Sequence, residues 1–148
     1  MYTVRHLLDE KGHQVWTISP QSSTFEALEL MAEKNIGALL VLENDKVIGI
    51  FTERDYARKV VLKGKSSKTT NVGELMTSEV LYVSPEATIE DCMALMTQKR
   101  ARHLPVLDAG KLAGVVSIGD VVKAVITDRE FTIRELERYI TGGHSSLP

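Results

Sequence analysis

Apolar and polar residues follow one another along the chain in short blocks whose spacing predicts alternating strands and helices. Phe25, Leu28 and Met31 recur at helical spacing, whereas the unbroken apolar run 38–42 has the length of a buried strand. Asn44 and Asp45 supply turn chemistry after that run and therefore predict a hairpin. The elements predicted for the first half are a strand at 15–18, a helix capped at 22–24 and ended by Gly37, strands at 38–42 and 46–51, and a helix at about 53–62.

The same order of elements occurs twice, at a constant offset of 65 residues, the distance from Ser19 to Ser84. Asp55 returns at that offset as Asp120. The elements predicted for the second half are a strand at 80–83, a helix at 89–98, strands at 103–107 and 111–116, and a helix through 125. Because each half alone is too small for a stable core, we expect the two repeats to pack on each other and share one.

This repeat divides the chain into four parts. The predicted boundaries are 4–62 for the first repeat, 63–71 for a linker, 72–126 for the second repeat and 127–148 for a C-terminal helix and tail. The linker is small, polar and basic, as surface connections are. In the last part, Ile133, Leu136 and Ile140 share one helical face, with a capping box from Thr132 and a stop at Gly142-Gly143. That apolar face requires a partner, either the body of the chain or another subunit.

Composition narrows the classes of function. A net charge of −2 with interspersed acids and bases gives no general attraction to nucleic acid or to an anionic membrane. No apolar run approaches the roughly 20 residues of a membrane helix, and no charged-then-apolar leader precedes Val4, so we expect a cytoplasmic protein. Cys92 lies in an apolar helical stretch and is expected to be buried and unreactive. The four histidines share no metal-ligand spacing, so no metal site is predicted.

One short motif occurs in both repeats, at 49–55 and 114–120: a glycine, two apolar residues, a hydroxyl residue, two variable residues and an aspartate. A hydroxyl residue followed three positions later by an acid is a helix N-cap arrangement, worth roughly 1 kcal/mol without any ligand. The same helix start also exposes backbone N–H groups that suit a phosphate, and an aspartate there can accept hydrogen bonds from a ribose diol. The residues alone leave both interpretations open.

This doubled motif resembles the signature of the cystathionine β-synthase (CBS) domain, and the tandem, from about residue 4 to 126, resembles a CBS pair. The resemblance implies an α/β (α+β) fold in which two β-α-β-β-α repeats pack sheet to sheet with pseudo-two-fold symmetry. It also implies two clefts that, in many members, bind AMP, ATP, NAD or S-adenosylmethionine. By that pattern the aspartates hold ribose, the hydroxyl residues contact phosphate or ribose, and the backbone near two further residues lines the adenine. The residues so implied are Asp55, Asp120, Thr52, Ser117, its neighbour Ile118, Thr17 and Tyr82.

The two copies differ where the cluster Arg100, Arg102 and His103 replaces the small residues Gly37 and Ala38. Arginine offers a fixed fork of donors for phosphate, so the second copy is predicted to hold a charged group. The first copy has room for a ring and has Arg54 at its helix start, so we expect two unequal sites. The alternative is that the arginines form a solvated face. For Trp16 the sequence leaves two alternatives: the ring stacks on a base, or it packs in the core or in a dimer contact.

The sequence favours a regulatory protein over an enzyme, because no nucleophile with a paired base and no phosphate-loop motif is visible. We expect a stand-alone, homodimeric module that binds AMP, ADP, ATP or NAD(H) and signals to a protein partner by conformational change. The resemblance to stand-alone CBS-pair proteins of bacteria and plant organelles makes a thioredoxin-like partner one option. The alternative is a dimeric scaffold with non-functional clefts, and a weak nucleotide hydrolase is a third hypothesis.

Overall fold

Two copies of one α/β unit make up the computed structural model, which describes residues 2–140. The elements in chain order are α1 Val4–Lys11, β1 Thr17–Ile18, α2 Thr24–Lys34, β2 Ala38–Glu43, β3 Lys46–Thr52, α3 Glu53–Asp55 with a π-helical continuation over Tyr56–Val61, α4 Val72–Leu75, α5 Ile89–Lys99, β4 His103–Asp108, β5 Lys111–Ser117 and α6 Ile118–Ile140. The mixed α/β class and the two repeats predicted from the sequence are confirmed.

Each repeat is built around one antiparallel hairpin. In the first repeat, β1 runs parallel to β2, and β2 pairs with β3 so that Leu39 lies opposite Phe51. In the second, β4 pairs with β5 in the equivalent register. Both hairpin turns place two successive residues at positive φ, at Asn44 and Asp45 and again at Ala109 and Gly110, as a type I′ turn requires. The predicted strand at 80–83 is wrong, because this segment contributes only a single bridge, from Val83 to Val106.

The ends of α2 and α5 also differ from the prediction. Gly37 does not end α2, because the helix stops at Asn35, which adopts the left-handed conformation with φ 55°. Arg100 ends α5 in the same way, with φ 54°. Gly37 instead lies beside the start of α3: its carbonyl accepts the Glu53 N–H at 3.0 Å, and a Cβ at Gly37 would lie 2.9 Å from the carboxylate of the exposed Glu53 side chain.

The leading helices of the two repeats are exchanged. Helix α1 docks on the second repeat, where the Val4 N–H donates to the Ala87 carbonyl at 2.8 Å. Helix α4 docks on the first, where the Val72 N–H donates to the Ser22 carbonyl at 2.8 Å. The core of the second repeat accordingly contains Leu8, and that of the first contains Val72. Two cores completed by exchange therefore replace the single shared core that we expected, and neither repeat has its full core without a segment of the other.

The motif glycines allow this exchange. A Cβ at Gly114 would lie 2.8 Å from Cδ2 of Leu8, and a Cβ at Gly49 would lie 2.5 Å from Sδ of Met76. Leu8 and Met76 occupy corresponding places on α1 and α4. The first residue of each motif is thus a glycine because the helical segment from the other repeat packs directly against it.

Helix α6 continues without a break from Ile118 to Ile140, so the separate C-terminal helix predicted from residue 127 is wrong. Thr132 lies inside this helix and its hydroxyl donates to the Asp128 carbonyl at 3.0 Å, instead of capping a new helix. The predicted stop at Gly142-Gly143 lies outside the described residues. Along α6, the large apolar residues Val122, Ile126, Ile133, Leu136 and Ile140 are exposed.

Cys92 is buried in the core of the second repeat, as predicted. Burial, with the nearby acids Asp91 and Glu90, raises the pKa of its thiol to about 11, so the unreactive thiol form dominates at neutral pH. Among the side chains that the structure describes, which leave out those of residues 131, 135 and 139, no group of three or more potential metal ligands is found. Over residues 2–140, no helix is both long and apolar enough to span a membrane.

Candidate functional site

Two neighbouring cavities lie between the repeats, and we call them cleft A and cleft B. Cleft A, of about 300 Å³, is lined by Lys11, residues 14–16, residues 35–40, and Val115 and Ser117 of β5, among others. Cleft B, of about 560 Å³, is lined mainly by residues 52–55, Thr77, residues 79–81 and residues 99–103. Gly37, Ile50 and His103 border both cavities. Each cleft is therefore formed by both repeats.

The hydroxyl–aspartate motif caps a helix beside each cleft. Asp55 accepts the Thr52 N–H at 3.0 Å and its own N–H donates to the Thr52 hydroxyl at 3.1 Å. Asp120 and Ser117 make the same pair of bonds at 2.9 and 3.1 Å. The N–H group of the residue after each hydroxyl residue is also used, since Glu53 donates to the Gly37 carbonyl and Ile118 donates to the Arg102 carbonyl. The capping interpretation is confirmed, and these bonds already use two backbone N–H groups in the first turn of each motif helix.

Asp55 lies at the wall of cleft B and is buried, with 8% of its surface exposed. Its Oδ1 atom lies 3.1 Å from Nζ of Lys59 and accepts the Thr77 hydroxyl at 3.5 Å. Lys59 also donates to the Leu75 carbonyl at 3.0 Å, which ties it to α4, and it does not line the cleft. The carboxylate is thus fixed by Lys59, Thr77 and Thr52 at the wall of the cavity.

Asp120 has a different environment, because Lys11 of α1 lies over it. The Lys11 ammonium is 2.6 Å from Oδ2 of Asp120 and donates to the Val115 carbonyl at 2.8 Å. Burial alone raises the pKa of Asp120, but the hydrogen bond and charge of Lys11, with the Ser117 bonds, outweigh it and hold the pKa below its ordinary value. Lys11 lines cleft A and Asp120 does not. Our sequence analysis did not identify Lys11, since only the exchange of α1 brings it here.

The basic residues gather at cleft B. Arg54 enters from α3, Lys99 from the end of α5, and Arg100 and Arg102 from the segment between α5 and β4. The prediction grouped Arg100 and Arg102 with the motif of their own repeat, but the structure places them on the same cavity as Asp55 of the first repeat. The small residues Gly37 and Ala38 conversely line cleft A with Ser117 of the second repeat. Glu53 and Glu79 also border cleft B, so its walls carry both signs of charge.

Four predicted residues line neither cavity: Asp120, which Lys11 covers, and Thr17, Tyr82 and Ile118. Thr17 pairs with Leu40 in the sheet, and Tyr82 is 60% exposed in a separate depression near the hairpin tips. Ile118 borders an apolar groove between α5 and α6 on the outside of the pair. Trp16, for which stacking and packing were both open, lines cleft A, and Nζ of Lys34 lies 4.4 Å from the centre of its ring.

The imidazole of His103 borders both clefts and should make stability depend on pH. Burial lowers the pKa of His103 below its ordinary value of 6.5, with Lys11 and Arg102 adding to the shift and Asp120 opposing it. Because the unfolded chain takes up this proton at higher pH than the folded chain, the neutral imidazole stabilises the fold above about pH 6.5, and this stability is lost as the pH falls below that value.

We expect the free energy of unfolding to fall on acidification, and to fall less in His103→Gln. Urea unfolding at about pH 7.5 and about pH 5.5 measures both, and equal losses in the two proteins would contradict the prediction.

Two interlocked α/β repeats, with a hydroxyl–aspartate motif beside each intervening cleft, have the architecture of a CBS pair. The model of the CBS domain family matches this chain twice, at residues 4–62 and 72–127. The chain belongs to the CBS domain family.

The chain is similar over most of its length to other members of that family. It is 41% identical over 138 residues to the mitochondrial CBS domain-containing protein CBSX3 of Arabidopsis thaliana, and the match spans 90% of this chain but 66% of that protein. A solved CBS domain structure, NE2398, is 56% identical with a TM-score of 0.81, covering 84% of this chain and 97% of the other. The structure of CBSX2 in complex with AMP is 30% identical with a TM-score of 0.69, covering 87% and 99%.

Proposed function

We propose that this chain is a non-catalytic regulatory module that binds adenine nucleotides, namely AMP, ADP, ATP or NAD(H), in the clefts between its repeats. The observation that carries the proposal is the composition of cleft B, where a buried carboxylate and several cations border one cavity. A ribose diol needs an acceptor and a phosphate chain needs charged donors. The AMP complex of the similar CBSX2 protein supports this class of ligand.

The proposed binding mode uses both repeats. Asp55 accepts hydrogen bonds from the ribose hydroxyls, and Arg100 and Arg102 pair with the phosphates. Val80 and Leu81 supply apolar walls of cleft B against which adenine packs. Because Asp55 belongs to the first repeat and the arginines to the second, one nucleotide in this mode links the two halves.

Signalling is proposed to follow from that link. A nucleotide held by both repeats changes the angle or the rigidity of the pair and thereby its contact with a protein partner. A ligand shifts such an equilibrium only by its differential affinity for the two states, so the partner has to distinguish the liganded form. The partner is unidentified, and a thioredoxin-like protein is one candidate to assay.

Thermal unfolding of nucleotide-stripped protein tests the proposal against AMP, ADP, ATP, NAD, NADH and S-adenosylmethionine. A ligand present at 100 times its Kd stabilises the fold by about 2.7 kcal/mol, which raises the midpoint by several degrees. A shift with one or more of the first five ligands, lost in Asp55→Ala, is the expected result. No shift from demonstrably empty protein would contradict nucleotide binding, and sustained ATP hydrolysis with Mg²⁺ would contradict the non-catalytic part.

A dimeric scaffold is the second candidate, favoured by the groove between α5 and α6. Met93, Ile118, Val122 and Ile126 line this groove and are exposed, so a second copy that covers them would remove large apolar surfaces from water. A dimer is compatible with both functions. Light scattering of the stripped protein with and without AMP separates them: assembly that responds to nucleotide supports the regulatory module, and a dimer that binds no nucleotide supports the scaffold.

A further inference from the structure

The two motif aspartates present different surfaces to their clefts. Asp55 borders cleft B directly, whereas Asp120 is separated from cleft A by the Lys11 side chain. The Lys11–Asp120 pair is partly buried, with 34% of the lysine and 24% of the aspartate side chain exposed. A ligand that is to reach Asp120 from cleft A therefore meets an ammonium group first.

This difference is a reversal of charge at one corresponding position. Counting from Val4 and Val72, which begin the exchanged helices, Lys11 corresponds to Glu79. The packing of Leu8 on Gly114 and of Met76 on Gly49 confirms the same correspondence in three dimensions. Lys11 lines cleft A and Glu79 lines cleft B. The fold thus places a cation beside one motif and an anion beside the other.

The lysine that pairs with Asp55 does not have this role. Lys59 extends from the same helical segment as Asp55 and is anchored on the Leu75 carbonyl. It contacts the carboxylate but does not line cleft B. Lys59 and Lys11 therefore make similar ion pairs, but only Lys11 stands between its aspartate and a cavity.

We infer that Lys11 is the specificity-determining residue of cleft A, which it restricts to ligands carrying an anionic group such as a nucleoside phosphate. This inference rests on the proposed function. A neutral nucleoside whose ribose hydrogen-bonds to Asp120 has to displace the Lys11 ammonium from the carboxylate. The ammonium is then left without an anionic partner, which is unfavourable in a partly buried site. A phosphate group on the ligand supplies a new anionic partner. The ammonium can then pair with the phosphate while the ribose hydroxyls donate hydrogen bonds to the Asp120 carboxylate. Adenosine is rejected and AMP accepted by the same side chain.

Replacing Lys11 with methionine tests this, because methionine keeps most of the aliphatic length and removes the charge. Trp16, the single tryptophan of the chain, lines cleft A and not cleft B, so its fluorescence reports most directly on cleft A, while calorimetry reports total binding. In Lys11→Met, we expect the preference of cleft A for AMP over adenosine to fall by at least about tenfold, the size of one hydrogen bond to a charged group. AMP binds more weakly and adenosine more tightly than in the native protein. Lys11→Arg should keep the preference.

Lys59→Met is the matched control, since it removes the ion pair of the other motif aspartate, neither residue of which lines cleft A, and it should leave the preference of cleft A unchanged. The inference is overturned if Lys11→Met binds AMP and adenosine in the native ratio, or if AMP binds to the native protein without any change in Trp16 fluorescence. Either result leaves the proposed function intact, because calorimetry still records nucleotide binding. Absence of calorimetric binding of every adenine nucleotide to the native protein overturns the proposed function itself.

Discussion

Leu8→Ala is expected to lower the free energy of unfolding by about 2–5 kcal/mol, the range for a buried leucine that leaves a cavity. Leu8 is 1% exposed and packs on Gly114, which lies far along the chain in the second repeat. The loss therefore falls on a repeat to which α1 does not belong in sequence. Because each core contains a segment of the other repeat, we expect one cooperative transition at lower denaturant, measured by urea unfolding with circular dichroism.

Leu62→Ala is the control for this substitution. Leu62 is 76% exposed, so its truncation should change the free energy of unfolding by no more than about 0.5 kcal/mol. A loss below about 1 kcal/mol for Leu8→Ala would show that α1 does not complete the core of the second repeat in solution. That result would also remove Lys11 from cleft A, since both residues depend on the docking of α1.

The double substitution Arg100→Ala with Arg102→Ala is expected to weaken ATP binding at cleft B by about 10- to 100-fold, the effect of losing a hydrogen bond between charged groups. Adenosine binding should be unchanged, since it lacks the phosphates that these arginines contact. Titration calorimetry with both ligands measures the difference. The effect should fall on cleft B, so the Trp16 signal of cleft A serves as an internal reference.

Arg58→Ala with Arg129→Ala is the matched control, because it removes the same charge from exposed helical positions that line neither cleft. This variant should bind ATP within about twofold of the native protein if the effect is local and not a response to net charge. Equal weakening in both double variants would reassign Arg100 and Arg102 to a solvated surface.

The elements that the sequence predicted well are those fixed by local interactions. The hairpin turns follow from Asn44-Asp45 and Ala109-Gly110, which adopt the left-handed conformations that their type of turn requires. The cap of α2, predicted at 22–24, is Ser23. The end of α2 was misassigned because a glycine is the usual signal, whereas here Asn35 takes the left-handed conformation two residues before Gly37.

The features that the sequence did not predict depend on long-range packing. Nothing local in Val4–Lys11 indicates that this helix docks on residues 85–87 instead of its own repeat. The contribution of Lys11 to cleft A and the presence of Arg100 and Asp55 on one cavity both follow from how the repeats pack. The motifs indicate candidate residues, but only the tertiary structure shows which of them line a common cleft. The one feature of the sequence that points to the role of Lys11 is the offset of 68 residues that relates it to Glu79.

A crystal structure grown with saturating AMP tests the central claim most directly. The account predicts a nucleotide in cleft B with its ribose hydroxyls on the Asp55 carboxylate and its phosphate within hydrogen-bond distance of Arg100 or Arg102. Both clefts empty at saturating AMP, or a nucleotide bound away from both of them, would contradict it.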